Sequence, residues 1–528
     1  MNEEKPYGGK YYFLLLIIIF AVASFLRLFQ LDHYPLLINL DELSNIYDGY
    51  SISETGKDRS GDADIATVRG FGRGDYRPSL MPFLLAAGFK FFGYSILNGR
   101  IIAAILGILS LILLYFFAKD FGGKNFALAA LVLATFSPWH LIFSRMAHEG
   151  TMLPSIFLLL IMLLWNRSRG KIFEWKSLLL LGFVTGFSVN AYQATKLTGL
   201  LIAMFIAVDI LFSTRIKKSF QKIPLLILGV TIGALPQILF LFNHHDLFFA
   251  RSENALIPHH SVILFTEKVF ENIFANLNPV YLFFSSGNAN IFTVARLLPV
   301  EIIFFICGIL FLKRVVTTKL FPFYYIYILI IIVILPAAIT LTNPHSLRAS
   351  GFLMLAPLIS AAGIIFLVRF FKKEKIRQSI FFFFLSIIII NASIFIYSYA
   401  NSYSLGNTLQ QHGLVLLAEK INVEAKDCEQ IYIENIENQP YIYITAFTGI
   451  TPQQFQAAEK KVNTNWIWDY YLQLGKYYFR TKEEINLEMN QPSNQKRLFI
   501  YSKKRNDVVA IDSVLTDEVG WVYFYKKL

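Results

Sequence analysis

The sequence predicts a polytopic α-helical membrane protein of about eleven transmembrane helices, followed by a C-terminal extracytoplasmic α/β domain. The first reason is composition, because 55% of the 528 residues are hydrophobic and the mean hydropathy is +0.50. A soluble globular protein is less apolar than this. The second is a series of nearly continuous apolar runs, such as 14–20, 330–335 and 381–390. With their flanks, several runs reach the roughly 20 residues that a helix needs to cross a bilayer.

The third reason, the distribution of basic residues between the apolar runs, also predicts the orientation of the spans. With a cytoplasmic N-terminus, the inside loops hold eighteen Lys and Arg residues and the short outside loops hold three. Cytoplasmic loops are enriched in these residues. We therefore predict a multi-pass protein with a cytoplasmic N-terminus and a retained first span, and the abundance of Lys, Ile and Asn favours a bacterial inner membrane. The predicted spans lie near residues 11–31, 97–118, 125–143, 149–165, 177–190, 196–213, 223–242, 297–312, 321–341, 349–368 and 379–399.

Two domains are expected from this arrangement. Residues 1–399 form the transmembrane domain, whose long extracytoplasmic loops are 32–96 and 243–296. Residues 400–528 form the extracytoplasmic α/β domain. The elements predicted outside the spans are a short interfacial helix at 79–93, helices at 409–425 and from Thr451, and strands at 431–435, 497–502 and 521–526.

Several classes of protein and site are disfavoured by the composition. The net charge of +12 does not indicate nucleic-acid binding, because the basic residues lie in short loops as orientation signals do. The two cysteines, Cys307 in an apolar run and Cys428 in a polar one, do not form a disulfide framework. A metal site is not expected, because adjacent histidines lack the spacing of a strong ligand motif. These histidines, with a neighbouring acid, are His244, His245, Asp246, His259 and His260.

Two adjacent carboxylates, Asp41 and Glu42, follow the first span and open a helical pattern. Neighbours on a helix point about 100° apart, so one of the pair faces a given site while the other orients it or caps the helix. The alternative is structural, since acids at a helix N-terminus favour the macrodipole.

Cationic and polar residues fill the other segments predicted on the same face. A phosphate leaving group on a lipid needs cations, and arginine meets phosphate oxygens bidentately. A hydroxyl acceptor needs a carboxylate base. The inventory suits sugar transfer from a lipid carrier, although basic residues at span ends also snorkel to headgroups. Trp466, Trp468, Tyr470 and Tyr471 could stack on a sugar, with core packing as the favoured alternative. The candidates beside Asp41 and Glu42 are Arg77, Lys196 and Arg348 for phosphate, and Arg145, His148, Glu149, Tyr192, Gln193 and His345 for substrate.

The order of these motifs resembles the GT-C glycosyltransferases of the protein O-mannosyltransferase and aminoarabinose-transferase type, glycosyltransferase family 39 and its relatives. The resemblance runs through the first 200 residues and returns near 345. It rests on Asp41-Glu42, 76–80 (YRPSL), 93–100 (GYSILNGR), 137–149 (SPWHLIFSRMAHE) and 345–348 (HSLR). The second loop departs from the family, because His148-Glu149 stands where another acidic residue is usual.

The resemblance implies a GT-C-like fold and an inverting transfer from a polyprenyl-phosphate sugar to a hydroxyl on protein, lipid or glycan. It makes Asp41 the base, Glu42 its neighbour at the acceptor, and Arg77 and Arg348 ligands of the carrier phosphate. No cofactor is implied, and a divalent metal is not expected to be essential. The alternatives are a transporter or flippase of a lipid-linked sugar, an O-antigen ligase-like enzyme, and a noncatalytic scaffold that displays the outer domain.

Overall fold

The computed structural model describes residues 9–35, 38–212, 219–258, 261–284, 295–318, 320–402, 409–434, 439–464, 468–501, 513–516 and 522–527. Its contacts divide the chain into two compact units. The helical unit comprises Met1–Leu31, Arg100–Asn243 and Asn254–Tyr403. The mixed unit comprises Asp32–Gly99, His244–Glu253 and Ser404–Leu528.

The helices and strands of the described residues follow one another along the chain in this order. They are α1 (Gly9–Leu28), α2 (Leu40–Thr55), β1 (Thr67–Arg69), β2 (Tyr76–Pro78), α3 (Leu80–Phe92), α4 (Ile96–Gly122), α5 (Lys124–Phe136), α6 (Pro138–Phe143), α7 (Met152–Gly170), α8 (Trp175–Phe187), α9 (Gln193–Phe212), α10 (Ile223–Asn243), α11 (His245–Glu253), α12 (Val262–Leu277), α13 (Glu301–Val315), α14 (Tyr324–Ala338), α15 (Phe352–Arg369), α16 (Glu374–Ser402), α17 (Leu409–Glu424), β3 (Gln430–Glu434), α18 (Pro440–Phe447), α19 (Pro452–Ala457), β4 (Lys460–Thr464), β5 (Asp469–Leu474), β6 (Tyr477–Arg480), α20 (Lys482–Asn490), β7 (Arg497–Tyr501), β8 (Ser513–Thr516) and β9 (Val522–Lys527).

Ten of the eleven predicted spans correspond to one of the helices above each, and the span predicted at 125–143 is divided at Ser137 into α5 and α6. The ten helices are α1, α4, α7, α8, α9, α10, α13, α14, α15 and α16. Among the described residues, seven helices are long and apolar enough to cross a membrane by length and composition. The other four, α5, α8, α13 and α14, run for 13 to 15 residues. The predicted fold, a polytopic helical membrane protein, is confirmed.

Glycines allow two of these helices to pack backbone against backbone. Gly182 and Gly186 on α8 face Gly229 and Gly233 on α10. A Cβ atom at Gly186 would lie 2.0 Å from the Val230 carbonyl oxygen. Both helices carry the GxxxG spacing that permits close helix approach in membranes, where apolar burial alone gives little attraction between helices.

The mixed unit is built on a seven-stranded sheet with the order β4-β5-β6-β3-β7-β9-β8. Strand β3 runs parallel to β6 and β7, and the other neighbouring pairs are antiparallel. Helix α20 covers one face, where Ile485 packs with Tyr432, Phe499 and Tyr501. The C-terminal β-sheet domain is therefore present as predicted.

Local sequence explains where the helices of the mixed unit begin. Thr451 and Thr481 open α19 and α20 with reciprocal capping boxes, in which each threonine is paired with a residue three positions later. The predicted interfacial helix is α3, whose last residues Phe91 and Phe92 are exposed.

The first loop belongs to the mixed unit because α2 packs against α3, α18 and α19. This grouping of 32–99 with the C-terminal stretch differs from the division into 1–399 and 400–528. It places the carboxylates of α2 among residues that come from the end of the chain.

Candidate active site

The carboxylates of Asp41 and Glu42 occupy different environments at the start of α2. The helix is capped by Asn39, whose side-chain oxygen accepts a hydrogen bond from the Asp41 backbone N–H at 2.9 Å. Neither carboxylate is therefore needed as the cap. The Asp41 side chain is 34% exposed, whereas Glu42 is fully buried, as expected for helix neighbours about 100° apart. Asp41 is the accessible carboxylate of the pair.

Arg77 lies beside Asp41. Strand β2 pairs with β1 in a short antiparallel hairpin, which holds Arg77 opposite Val68. The guanidinium is 1% exposed and places Nη1 3.4 Å from Asp41 Oδ1. Its Nη2 donates to Ser44 Oγ at 2.5 Å. The structure thus brings together the predicted base and one of the predicted phosphate ligands.

A buried ion pair that the sequence analysis missed adjoins Arg77. Asp41, Ser44 and Asp48 are spaced by three and four residues, so they share one face of α2. Arg59 is bonded to the Asp48 carboxylate and donates to Ser44 Oγ at 2.6 Å and to the Gly70 carbonyl at 2.6 Å. The spacing along α2 is visible in the sequence, but no pattern predicts Arg59 as the partner.

Two tyrosines of α18 also reach this region of the mixed unit. Tyr441 accepts a hydrogen bond from the Arg59 guanidinium, and the buried Tyr443 phenol donates to the Ile38 carbonyl at 3.1 Å. Burial raises the pKa of Tyr443, and the negative charges of Asp41 and Glu42 raise it further. Tyr443 is thus a neutral hydrogen-bond donor near the carboxylates.

The aromatic candidates of the C-terminal stretch divide between packing and surface. Tyr471 stacks on Tyr441 with ring centroids 3.9 Å apart, which is a core contact. Trp468 is 40% exposed, and Trp466 lies outside the described residues.

In the helical unit, Arg145 caps the first span. Its guanidinium donates to the carbonyls of Leu26, Phe29 and Gln30 at 2.8, 3.0 and 3.1 Å. These are the last carbonyls of α1 and of the turn that follows, where a cation complements the helix dipole. The structure gives Arg145 a stabilising task, and contact with substrate stays a prediction.

Three further candidates of the helical unit lie close together. Nδ1 of His148 is 3.3 Å from Glu149 Oε2 and accepts a hydrogen bond from the Gly150 N–H at 2.9 Å. The His148 ring meets Tyr192 edge to face at 6.3 Å. Gly150 is required at this point, since a Cβ atom there would lie 2.9 Å from the Tyr192 ring.

Tyr192 and Arg348 line the same cavity of the helical unit, whose volume of about 400 Å³ includes space open to solvent. Most of its wall is apolar, with contributions from α7, α9 and α14. Gln193 and Lys196 lie in the first turn of α9. His345 donates its backbone N–H to Asn276 at 3.2 Å and accepts at Nδ1 from the Arg348 N–H at 3.4 Å.

Arg296 is a buried cation near 345–348 that the sequence analysis did not select. Its guanidinium carbon lies 4.1 Å from the centre of the Tyr281 ring, and its Nε donates to Ser346 Oγ at 3.2 Å. Tyr281 and Ser346 are themselves joined at 2.8 Å. Arg296 is the last residue of the predicted loop 243–296, in which no motif was found, so the sequence offered no signal for it.

No group of three or more His, Cys, Asp and Glu side chains that could hold a metal ion occurs in the part of the chain that the structure describes. His245 pairs with Asp246 at an exposed position. His259 and His260 lie outside the described residues. The expectation that no metal is essential stays a prediction.

Residues 76–240 match the family model of the dolichyl-phosphate-mannose-protein mannosyltransferases. This match, together with the fold shared with ArnT from Cupriavidus metallidurans, bears out the prediction of a GT-C glycosyltransferase of the protein O-mannosyltransferase and aminoarabinose-transferase type. It is a multi-pass membrane protein.

Among solved structures, the chain is similar to ArnT from Cupriavidus metallidurans bound to undecaprenyl phosphate. The two share 10% sequence identity over 98% of each chain, with a TM-score of 0.56, so they share the fold. The archaeal oligosaccharyltransferase AglB from Archaeoglobus fulgidus, in complex with an inhibitory peptide and a dolichol-phosphate, has 14% identity and a TM-score of 0.47 over 85% of this chain and 64% of that one. The S. cerevisiae protein O-mannosyltransferase Pmt1-Pmt2 complex has 16% identity and a TM-score of 0.34 over 45% and 34%. No curated protein matches the chain.

Proposed function

We propose that this protein transfers a sugar from an undecaprenyl- or dolichyl-phosphate carrier to a hydroxyl on a protein, lipid or glycan, at the extracytoplasmic face of a bacterial inner membrane. The observation that carries the proposal is the partly exposed Asp41 carboxylate, which lies 3.4 Å from the buried guanidinium of Arg77. A neighbouring cation favours the ionised form of a carboxylate, and the ionised form can accept a proton.

The proposed reaction is a single displacement. The acceptor hydroxyl gives its proton to Asp41 while its oxygen bonds to the anomeric carbon, and the bond from that carbon to the carrier phosphate oxygen breaks. The carrier leaves as its phosphate with the bonding electron pair. One displacement inverts the anomeric configuration, whereas retention would require a covalent intermediate on a separate nucleophile. Glu42, which is fully buried, is proposed to act as the orienting neighbour of Asp41.

Cations stabilise the negative charge that develops on the departing phosphate. We assign Arg77, Arg348 and Lys196 to this task. The position of Arg348 in the wall of the cavity of the helical unit supports the assignment, because a guanidinium suits a phosphate. Arginine and lysine can supply this charge, so no metal is required by the proposal.

The remaining candidates are proposed to contact substrate from the helical unit. Tyr192 supports this assignment best, because it lines the cavity and meets His148, which adjoins Glu149. Gln193 lies between Tyr192 and Ala194 of the cavity wall, and His345 accepts a hydrogen bond from the backbone N–H of Arg348, which also lines it. Arg145 is proposed for the same role in addition to capping α1.

The test uses the purified full-length protein in detergent and a panel of synthetic polyprenyl-phosphate sugars with labelled sugar groups. Release of the label to an acceptor or to water is followed with and without chelator. Asp41→Asn keeps the shape of the side chain but cannot accept the proton. We expect it to lower turnover by about 10²–10⁴-fold. Asp246→Asn, at a side chain that is 92% exposed, is the matched control and should retain full turnover.

The outcomes separate the parts of the proposal. Full activity of Asp41→Asn would exclude Asp41 as the base. Loss of activity with chelator would show that a metal is essential. Binding of a donor without hydrolysis or transfer would favour a transporter, and a wild-type protein that neither binds nor turns over any donor of the panel would overturn the carrier assignment.

A further inference from the structure

We infer that Ser44, Asp48 and Arg59 are positioning residues, which together hold the Arg77 guanidinium in the orientation that contacts Asp41. The inference rests on the proposed function, because it assumes that Asp41 is the base. It adds three residues that neither the sequence motifs nor the resemblance to known families singled out. All of them lie in the mixed unit.

The Ser44 hydroxyl links the two arginines, Arg59 and Arg77. Its Oγ is fully buried and accepts two hydrogen bonds, from Arg59 Nη1 at 2.6 Å and from Arg77 Nη2 at 2.5 Å. A hydroxyl that accepts from two guanidinium groups has its own proton left for a third partner, and Asp48 Oδ2 lies 3.4 Å away. The serine therefore ties both arginines to α2, the helix that carries Asp41.

Asp48 supplies the charge that allows two guanidinium groups to lie side by side. It is paired with Arg59, accepts the Arg59 backbone N–H at 3.2 Å, and places Oδ2 3.9 Å from Arg77 Nη2. Burial raises the pKa of Asp48, and the attraction of both arginines opposes that rise. With these donors around it the carboxylate form is favoured.

Phe71 and Gly70 complete the enclosure around the arginines. The guanidinium carbons of Arg59 and Arg77 lie 5.0 and 5.5 Å from the centre of the Phe71 ring, within cation–π range. A Cβ atom at Gly70 would lie 2.0 Å from Asp75 Oδ2 and 3.0 Å from Arg77 Nε. These contacts enclose the Arg77 guanidinium, so its Nη1, which faces Asp41, has little freedom to move.

Charged groups in the described part of the mixed unit lie near Asp41 and act in opposite directions on its protonation. Arg77 from β2 favours the carboxylate form, whereas Glu42 and Asp48 from α2 itself disfavour it. Tyr443 from α18 is kept neutral by burial. Weakening the contacts that hold Arg77 and removing the charge of Asp48 should therefore displace the pH dependence of activity in opposite directions.

The experiment measures kcat/KM against pH for the full-length protein, with the donor of the panel that the wild type turns over. In Ser44→Ala, Arg77 loses its bridge and shifts from Asp41 toward Asp48, so the acid limb of the profile moves to higher pH and kcat/KM falls about 10-fold. In Asp48→Asn, a negative charge disappears and the acid limb moves to lower pH. Ser53→Ala, whose hydroxyl donates to the Tyr50 carbonyl on the same helix, is the control and should match the wild type.

Opposite displacements of the acid limb in the two variants support the inference, because simple destabilisation lowers activity without moving the limb in two directions. An unmoved limb in Ser44→Ala, with kcat/KM within twofold of Ser53→Ala, overturns it. If Asp48→Asn does not fold, Ser44→Ala decides alone. A wild-type protein without turnover would refute the proposed function and this inference together. An active wild type whose variants behave alike would refute this inference alone.

Discussion

Two buried arginines, one in each unit, are stabilised by different partners. Arg59 of the mixed unit is bonded to the carboxylate of Asp48, whereas Arg145 of the helical unit donates to three backbone carbonyls at the end of α1. Both side chains are at most 3% exposed. Burying a guanidinium is costly in either place, because it loses its hydrogen bonds to water. Each arginine must replace them with hydrogen bonds to the protein.

The difference indicates what each arginine can do. A carboxylate partner brings a full opposite charge, and the pair can fix neighbouring charged groups such as Arg77 and Asp41. Carbonyl partners bring partial charges, and they mainly stabilise the helix that supplies them. Two arginines that look alike in the sequence are thus expected to differ in what their loss costs.

The largest effect should follow from breaking the ion pair of the mixed unit. Arg59→Met leaves the carboxylate of Asp48 buried beside a neutral side chain, which costs about 3–5 kcal/mol of unfolding free energy. Thermal unfolding in detergent measures the loss. Arg69→Met is the matched control, since Arg69 pairs with Asp469 at a position where its side chain is 31% exposed, and should lower the midpoint less.

A second substitution tests the cause of that loss. If the buried charge is responsible, Arg59→Met combined with Asp48→Asn should unfold at a higher temperature than Arg59→Met alone. A double variant that is less stable than the single one would show that packing against Phe71, and not the charge, makes Arg59 important.

A smaller effect is expected from Arg145, with a result that also separates capping from substrate contact. Arg145→Met removes three hydrogen bonds to carbonyls at the end of α1 and should cost about 2 kcal/mol. Arg145→Lys keeps the charge near the helix end and should cost less. If Arg145 instead contacts substrate, Arg145→Lys will reduce kcat/KM while the unfolding temperature stays near that of the wild type.

Features set by neighbouring residues could be predicted from the sequence, whereas contacts between distant residues could not. The membrane helices and α2 follow from apolar runs and from local capping, which are properties of neighbouring residues. The pair of Asp41 and Arg77 was selected by a motif, but their 3.4 Å contact needed the β1-β2 hairpin. Arg145 was selected for the segment in which it lies, and its partners at the end of α1 and in the turn that follows are more than 100 positions away. Pattern alone does not distinguish a capping arginine from a binding one.

The smallest effect concerns Tyr443, a contact that joins residues 405 positions apart in the mixed unit. Tyr443→Phe removes the phenol that donates to the Ile38 carbonyl, two residues before α2, and should cost about 1 kcal/mol because a buried carbonyl loses its donor. Tyr397→Phe, at a side chain that is 72% exposed, should leave the unfolding temperature unchanged. If Tyr443 also helps to hold the start of α2, Tyr443→Phe will lower kcat more than its small loss of stability predicts. A variant with full kcat and reduced stability would confine Tyr443 to packing, and would leave Arg77 as the described contact that orients Asp41.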